Sequence, residues 1–275
     1  MSRATEVRPD ITTPASSGPR LLWHLFRYQN KIFLRNPFSA VFSLAFPLMF
    51  LLLMAGLFGN EPDERGVRVI QYVVPSMIVF AVVATSYMNL SIVVSLNRDE
   101  GVLKRVRGTP VPTTAYMSAR IASAVWWTLV AVLLQVVAGV LVFDLEIIGR
   151  LVPAALVIVL VGIACFCALG LGLAAVIPNG EAAPAIANAT ALPLLFLSGV
   201  FIPLDNAPGW VRGVGAVFPI RHFYLALVDT FNPFFEGSGF AWGRLGIVAL
   251  WTAVGVVVAV KMFRWEPRPG VGVNA

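Results

Sequence analysis

The chain has few charged side chains. Asp, Glu, Lys and Arg make up 12% of its 275 residues, whereas 58% of the residues are apolar. An average soluble domain has about 25% charged residues, so the composition excludes a soluble globular enzyme, a disordered protein and a disulfide scaffold. It indicates a polytopic membrane protein, because a helix that spans a bilayer needs about 20 mostly apolar residues.

Cysteine and histidine are equally scarce, with two of each. Cys165 and Cys167 lie two positions apart in one apolar block, and on a helix they point in different directions. We therefore expect no disulfide between them and interpret both as small packing residues. The sequence has no HExxH motif and no His, Cys and carboxylate cluster with the spacing of a metal site. We expect no metal or other cofactor in this chain.

The chain also lacks an obvious energy source. It has three lysines, and none follows a glycine, so a phosphate-binding Gly-Lys-Ser/Thr loop is excluded. The charge-free centres of the apolar blocks offer no ionisable residue for a proton relay and no paired acid and base for catalysis within the membrane. The sequence therefore does not predict an enzyme.

Six apolar blocks are long enough to cross a bilayer. They are 38–58, 69–96, 115–143, 151–177, 184–202 and 243–263. With the N-terminus in the cytoplasm, fourteen of the twenty Lys and Arg residues fall on the cytoplasmic side and six fall outside. Because positive charge collects on the cytoplasmic side, we predict an all-α membrane domain over 37–265, with six transmembrane helices and both termini inside.

The segments at the two ends are polar or amphipathic. Residues 1–19 and 266–275 are predicted to be cytoplasmic tails, the first of them disordered. Residues 20–36 alternate basic and apolar side chains at helical spacing, which predicts an amphipathic helix on an anionic membrane surface. The alternative is that these residues begin a long first span. Asn36-Pro37 favours a helix break at this point and so favours the surface helix.

The polar segment 97–110, between the second and third blocks, has the signals of a short helix. Asn97 and Glu100 match a capping box, Glu100 and Lys104 form a favourable i,i+4 pair, and Gly108 is a stop signal. One interpretation is a rigid rod that transmits force from a cytosolic partner. The other is an ordinary loop, whose arginines only set orientation.

The same segment resembles a known family. Asn97-Arg-Asp-Glu-Gly-Val-Leu-Lys-Arg-Val-Arg-Gly-Thr-Pro110 is similar to the (R)(E/D)EGTLxRLRxTP stretch of ABC-2 type transporter permeases, especially the daunorubicin-resistance-like exporters. Val102 stands where that stretch commonly has Thr. Leu197-Ser-Gly-Val-Phe-Ile-Pro203 resembles the family's LSGxxxP, and Ala207-Pro-Gly-Trp210 with Phe218-Pro219 resembles its external segment. The resemblance covers roughly residues 20–265.

The resemblance implies a permease subunit that pairs with a second permease, identical or different, and binds two cytosolic ABC ATPase subunits. Those subunits would hold ATP and Mg. Segment 97–110 would be the coupling helix, and segment 203–242 would form re-entrant external helices. The implied coupling residues are Arg98, Asp99, Glu100, Gly101, Lys104, Arg105, Arg107 and Pro110. The implied external-segment residues are Ser198, Gly199, Pro203, Trp210 and Pro219.

Polar and aromatic residues recur every three or four positions along the second block, and the resemblance implies that spans two and five line the substrate path. The candidate path residues are Tyr72, Ser76, Phe80, Tyr87, Ser91, Asn188 and Thr190. An apolar and aromatic wall without charge suits a hydrophobic or amphipathic small molecule. The alternative is packing between helices, in which Ser, Thr and Asn also take part.

We therefore expect a multi-pass permease of a bacterial plasma membrane that exports hydrophobic or amphipathic drugs and so confers antibiotic resistance. An alternative keeps the family but changes the cargo to a lipid, glycolipid or polymer precursor. An alternative of another class is a membrane scaffold that transports nothing. Nucleic acid is not an expected partner, because the positive charges are scattered between apolar blocks and line no single face.

Overall fold

The computed structural model describes residues 18–35, 37–58, 62, 66–109, 111–204 and 207–263; for residues 37–43 and 58 it describes the backbone alone. Within these ranges the fold is all-α, as predicted. Outside the helices, the same ranges contain one isolated β-bridge, between Pro62 and Arg68. The predicted tails lie outside the described residues, apart from Gly18 and Pro19.

The helices follow the apolar blocks of the sequence. In chain order they are α1 (Gly18–Arg35), α2 (Pro37–Phe58), α3 (Ile70–Val82), α4 (Leu90–Asp99), α5 (Val102–Arg107), α6 (Thr113–Phe143), α7 (Val152–Val176), α8 (Ala183–Ser198), α9 (Gly209–Val217), α10 (Pro219–Phe231) and α11 (Trp242–Met262). A π-helical segment, Val83–Asn89, joins α3 to α4, and a 3-10 turn, Gly149–Leu151, leads into α7. α1 therefore occupies the stretch that was predicted to be amphipathic.

Four stretches are long and apolar enough to cross a membrane by length and composition. They are Ile70–Asp99, Thr113–Phe143, Gly149–Val176 and Trp242–Met262. The blocks at 38–58 and 184–202 also form helices, α2 and α8, but their apolar stretches are shorter, Leu44–Leu57 and Ala183–Ser198. The bent pair α9–α10 would raise the number of spans to five. The chain is thus a multi-pass membrane protein.

The helix Ile70–Asp99 and α7 form the centre of the described bundle. About two thirds of the most apolar window of Ile70–Asp99 is buried, whereas for α11 the share is 17%. α7 packs closely against α11, because Gly255 has no side chain: an added Cβ would lie 2.7 Å from the backbone of Ala168 and Leu169. The outer faces of α6 and α11 are apolar and exposed, as expected of surfaces that meet lipid or another membrane helix.

The π-helical segment Val83–Asn89 interrupts the central helix in the middle of its apolar stretch. Buried hydroxyl groups join it to α6: the hydroxyl oxygens of Thr85 and Ser86 lie 2.7 and 2.9 Å from that of Thr128. α7 approaches this segment through Gly170, where an added Cβ would lie 2.7 Å from the carbonyl oxygen of Ser86. The segment is therefore held between α6 and α7.

The predicted external segment contains two helices that meet at a sharp angle. α9 and α10 are bent by 94° at Phe218. Phe218 has an extended backbone, which a residue before proline prefers, and Pro219 then begins α10. α9 lies against the end of α8, where an added Cβ at Gly215 would be 2.2 Å from the carbonyl oxygen of Leu197. This bend leaves α10 packed against α3, α7 and α11.

Candidate functional site

Arg98 lies in the last turn of α4, with its side chain buried against the end of α7. Its guanidinium donates one hydrogen bond to the carbonyl of Ala174 (3.0 Å) and another to the carbonyl of Ile177 (2.9 Å). The last carbonyl groups of an α-helix have no partner within the helix. Arg98 therefore caps α7, at the end where the helix dipole also favours a positive charge.

Asp99 extends this contact to the turn between α7 and α8. One of its carboxylate oxygens lies 3.1 Å from Nε of Arg98, and the other accepts a hydrogen bond from the backbone N–H of Gly180. Gly180 fits there because an added Cβ would lie 3.0 Å from Leu96. We call Arg98, Asp99 and the three backbone groups that they contact the α4–α7 junction.

The short helix α5 follows the junction directly. Gly101 separates α4 from α5 and has φ = +70°, a left-handed conformation that glycine adopts without strain. Leu103 is buried beneath α5, whereas Lys104, Arg105 and Arg107 are exposed. The structure therefore presents a cationic surface on a six-residue helix, which two residues, Glu100 and Gly101, separate from the end of α4.

The details of segment 97–110 differ from those predicted. The capping box is wrong, because Asn97 continues α4 and the N-cap residue of α5 is Gly101, without a side-chain cap. Glu100 and Lys104 do not form an ion pair in the described structure; instead Arg105 donates a hydrogen bond to the Glu100 carbonyl at 3.3 Å. The long-range hydrogen bonds of Arg98 outweigh the local capping signal.

The predicted coupling residues thus fall into two groups. Arg98, which is buried, and Asp99, which is half-buried, belong to the junction, and the exposed group around α5 consists of Glu100, Lys104, Arg105 and Arg107. Gly101 connects the two groups. Pro110 lies outside the described residues.

A second feature is a cavity of about 240 Å³ among the π-helical segment, α7, α8, α10 and α11, which we call the central cavity. Its lining is aliphatic and aromatic and contains no ionisable group except Tyr87. The lining residues are Val83, Tyr87, Phe166, Leu169, Thr190, Ala191, Leu194, Phe218, Pro219, Ile220 and Trp251. Such a wall binds an apolar molecular surface and contributes few hydrogen bonds.

Tyr87 and Thr190 supply hydroxyl groups to this wall. The Tyr87 hydroxyl donates a hydrogen bond to that of Thr190 at 2.9 Å, and the Thr190 hydroxyl donates in turn to the Ile186 carbonyl. On the other side, the Trp251 indole N–H donates to the carbonyl of Val217 (2.9 Å), and its ring stacks on Phe218. The polar groups of the cavity are therefore fixed in position.

The other predicted path residues do not line this cavity. Ser76 and Ser91 are buried and donate hydrogen bonds to carbonyls of their own helix, those of Tyr72 and Met88. Phe80 packs against Phe46 and Phe201, and Asn188 is exposed and donates to the Pro184 carbonyl. Of the predicted residues on the second block, Tyr87 thus lines the cavity, whereas Ser76, Phe80 and Ser91 do not.

The predicted residues of the external segment are spread from the end of α8 to the start of α10. Ser198 is buried at the end of α8, where Gly199 adopts φ = +90°. Pro203 and Trp210 are exposed, and Pro219 lines the central cavity. These five residues do not form a single cluster.

Comparison with known proteins identifies the chain. A sequence model of the ABC-2 type transporter family matches residues 20–232, a range that holds both the α4–α7 junction and α5. The chain belongs to the ABC-2 type transporter family. The family is one of transport subunits that are not themselves catalytic, so this chain is a membrane transport subunit. Within the described residues, no group of three or more His, Cys, Asp or Glu side chains is placed to hold a metal ion.

Two curated relatives match most of the chain. The daunorubicin resistance ABC transporter permease protein DrrB1 of Streptomyces coeruleorubidus is 28% identical over 79% of this chain and 80% of its own length. YvfS of Bacillus subtilis (strain 168), a transport permease by name, is 26% identical over 69% of this chain and 77% of its own length. The first relative supports the predicted resemblance to daunorubicin-resistance-like permeases.

Sequence reasoning missed the partners that give the ABC-2 chain its junction and cavity. The groups that Arg98 contacts are backbone carbonyls in an apolar helix, and a carbonyl leaves no sequence signal. The turn Pro178-Asn179-Gly180 was readable as a break, but its contact with Asp99 was not. Trp251 lies 164 positions from Tyr87 in the chain, and its place in the cavity wall follows only from the packing of α11 on α7.

Proposed function

We propose that the chain is the permease subunit of an ATP-driven exporter that moves hydrophobic or amphipathic compounds, drugs among them, out of a bacterial cell. The observation that carries this proposal is the α4–α7 junction. The exposed cationic helix α5 is preceded, within a few residues of the same chain, by the pair Arg98 and Asp99, which contacts the end of α7 and the turn before α8.

The proposed topology has six spans in a bacterial plasma membrane, formed by α2, the helix Ile70–Asp99, α6, α7, α8 and α11. Both termini and α5 face the cytosol in this arrangement, and the bent pair α9–α10 re-enters from outside. The distribution of Lys and Arg between the two sides supports it. The 94° bend supports the re-entrant part, because a pair so bent does not cross a bilayer as one straight helix.

Two cytosolic ATPase subunits bind ATP and Mg and contact the exposed side of α5. Lys104, Arg105 and Arg107 supply positive charge to that contact. A displacement of α5 passes through Gly101 to Asp99 and Arg98, and from there to the end of α7 and the start of α8. The two hydrogen bonds of Arg98 to α7 are buried, so water competes little for them.

The cargo enters through the central cavity and its continuation between two permease subunits. The cavity of about 240 Å³ is smaller than the range typical of sites for drug-sized ligands, so a second permease, identical or homologous, completes the path. The lining has no Asp, Glu, Lys or Arg and only two side-chain hydroxyl groups, which suits compounds with a large apolar surface and few polar atoms.

The direct test is reconstitution of the full-length chain in liposomes, with and without its ATPase subunit. Daunorubicin, the compound in the name of the Streptomyces relative, is a suitable fluorescent first cargo. We expect ATP-dependent accumulation in inside-out vesicles that contain both proteins and none in vesicles that lack the ATPase. Accumulation without the ATPase would contradict the proposal. ATPase stimulation by a glycolipid instead of daunorubicin would keep the mechanism but change the cargo.

A further inference from the structure

α1 packs along the first turns of α6 through three side-chain contacts. Arg120 donates a hydrogen bond to the side-chain carbonyl of Gln29 at 3.2 Å, and Ser123 donates to that of Asn30 at 2.8 Å. One turn further along α6, the rings of Trp127 and Phe33 stack at a centroid distance of 4.6 Å. The buried side of this amphipathic helix is therefore partly polar.

A small cavity of about 20 Å³ lies beside these contacts, between α1, α6 and the π-helical segment. It has room for one water-sized group, such as a single oxygen atom. Its lining residues are Phe33, Thr85, Asn89, Leu90, Arg120, Ser123, Ala124 and Trp127. We call it the α1–α6 pocket.

Hydrogen-bond donors without a partner belong to two residues that line this pocket, Arg120 and Trp127, and to Gln29, which Arg120 contacts. Nε of Arg120 and the indole nitrogen of Trp127 are buried and have no partner among the described residues, and neither does the amide nitrogen of Gln29. Arg120 is 8% exposed and Gln29 2%. No Asp or Glu of the described chain lies within 4 Å of the Arg120 guanidinium. A buried donor without a hydrogen-bond partner and a buried charge without a counter-charge both destabilise a fold. A negatively charged oxygen would accept hydrogen bonds from these donors and balance the charge of Arg120.

The position of the pocket indicates where such an oxygen comes from. Arg120 follows the first residue of α6 by seven positions, about 10 Å along a helix. α1, which packs on this part of α6, has four exposed basic residues, Arg20, Arg27, Lys31 and Arg35, and no acidic residue. A basic amphipathic helix of this kind lies at the headgroup level of an anionic membrane.

We propose that the α1–α6 pocket binds a phosphate oxygen of an anionic phospholipid headgroup. The oxygen accepts hydrogen bonds from Arg120 and Trp127, while Gln29 holds the guanidinium in place. The site lies outside the central cavity, so it serves to fix α1 against α6 and not to carry cargo. The choice of leaflet rests on the proposed topology, whereas the binding itself does not depend on transport.

The test measures lipid binding to the purified full-length chain by native mass spectrometry, with short-chain phosphatidylglycerol and phosphatidylcholine as probes. Arg120→Gln removes the charge, and Arg212→Gln is its control, because Arg212 is exposed on α9 and does not line the pocket. Trp127→Phe removes one N–H and keeps the ring that stacks on Phe33, and Trp126→Phe is its control, because Trp126 is 50% exposed.

We expect wild type to bind phosphatidylglycerol more tightly than phosphatidylcholine. Arg120→Gln should weaken phosphatidylglycerol binding by about tenfold or more, and Trp127→Phe by about threefold to tenfold, since they remove a charged and a neutral hydrogen bond. Both controls should bind like wild type. Should Arg120→Gln fail to fold, the pair Trp127→Phe and Trp126→Phe decides.

Three results would overturn the proposal. The first is equal binding of phosphatidylglycerol by wild type and both pocket variants, as expected if the pocket holds only water. The second is equal binding of the two lipids by wild type, which would remove the need for net negative charge. The third is displacement of phosphatidylglycerol from wild type by millimolar inorganic phosphate with the same dependence on Arg120, which would assign the pocket to a free anion.

Discussion

The guanidinium of Arg98 donates a hydrogen bond to the carbonyl of Ile177 across 2.9 Å, although the two residues are 79 positions apart in the chain. This contact joins the end of the central helix Ile70–Asp99 to the end of α7. It lies one residue from Asp99, which contacts the turn before α8. Three apolar helices therefore meet at one ion pair, immediately before the exposed helix α5.

Arg98→Met should destabilise the fold. The variant leaves the buried Ala174 and Ile177 carbonyls without a donor, a loss of about 1–3 kcal/mol for each buried group left unpaired, and it leaves the partly exposed Asp99 without its cation. The measurement is the free energy of unfolding in mixed micelles. Arg212→Met is the matched control, because Arg212 is exposed and should change stability little. Equal stability of the two variants would show that the junction is not structural.

Gly170→Ala should disrupt the packing of α7 on the π-helical segment. The new Cβ would lie 2.7 Å from the Ser86 carbonyl oxygen and 2.9 Å from that of Tyr87, and backbone atoms cannot turn aside as a side chain does. We expect a loss of about 1–3 kcal/mol, typical of an overpacked core. Gly246→Ala is the control, since nothing lies within 4 Å of its Cβ position, and it should be neutral or stabilising.

The measurement for this pair is again unfolding in mixed micelles, together with yield from membranes. A wild-type yield and stability for Gly170→Ala would mean that α7 and the central helix lie further apart than described. A loss in both variants would mean that any added methyl group is harmful, regardless of position.

The sequence was a good guide to which stretches are helical. The block 115–143 became Thr113–Phe143, and 69–96 became Ile70–Asp99, because the absence of charge over these stretches limits where a membrane helix can end. It was a poor guide to the end of the second block. Asn97 resembles a helix start, yet the helix continues through it, since the bonds of Arg98 to α7 hold that last turn in place.

The central cavity was predictable only in part. Tyr87 and Thr190 were predicted to lie on the path, and they do contact each other in the cavity wall. The π-helical segment carries no glycine or proline that would mark it, so its place in the second block has no local signal. Trp251 enters the cavity through the packing of α11, a long-range contact that periodicity does not reveal. A substrate role for these residues stays a prediction.

Tyr87→Phe should alter cargo recognition without loss of the fold. The Thr190 hydroxyl keeps its bond to the Ile186 carbonyl, while the cavity loses one of its two side-chain hydroxyl groups. We expect the concentration of daunorubicin that gives half-maximal stimulation of the ATPase to rise about threefold to tenfold, as for one neutral hydrogen bond. Tyr28→Phe is the control, because Tyr28 is exposed on α1. An unchanged value for Tyr87→Phe would remove the hydroxyl from the cargo site.

Gly101 offers a test of the link between the junction and α5. Gly101→Val places a β-branched residue at φ = +70°, which costs about 1–2 kcal/mol or more, whereas Gly101→Asn tolerates that conformation. Space is equal for both, since nothing lies within 4 Å of the added Cβ. We expect ATP-driven efflux to fall severalfold in the valine variant and to persist in the asparagine variant. Equal efflux would show that the left-handed turn is dispensable.

The central claim is that motion of α5 reaches the membrane helices through Asp99 and Arg98, and the ratio of cargo moved to ATP hydrolysed tests it most directly. Asp99→Asn keeps the shape of the side chain but replaces one oxygen by an amide group, so either Nε of Arg98 or the N–H of Gly180 faces a second donor. In proteoliposomes with the ATPase subunit, we predict that hydrolysis persists while cargo moved per ATP falls about fivefold or more; Arg212→Gln keeps the wild-type ratio. A wild-type ratio in Asp99→Asn would contradict the account.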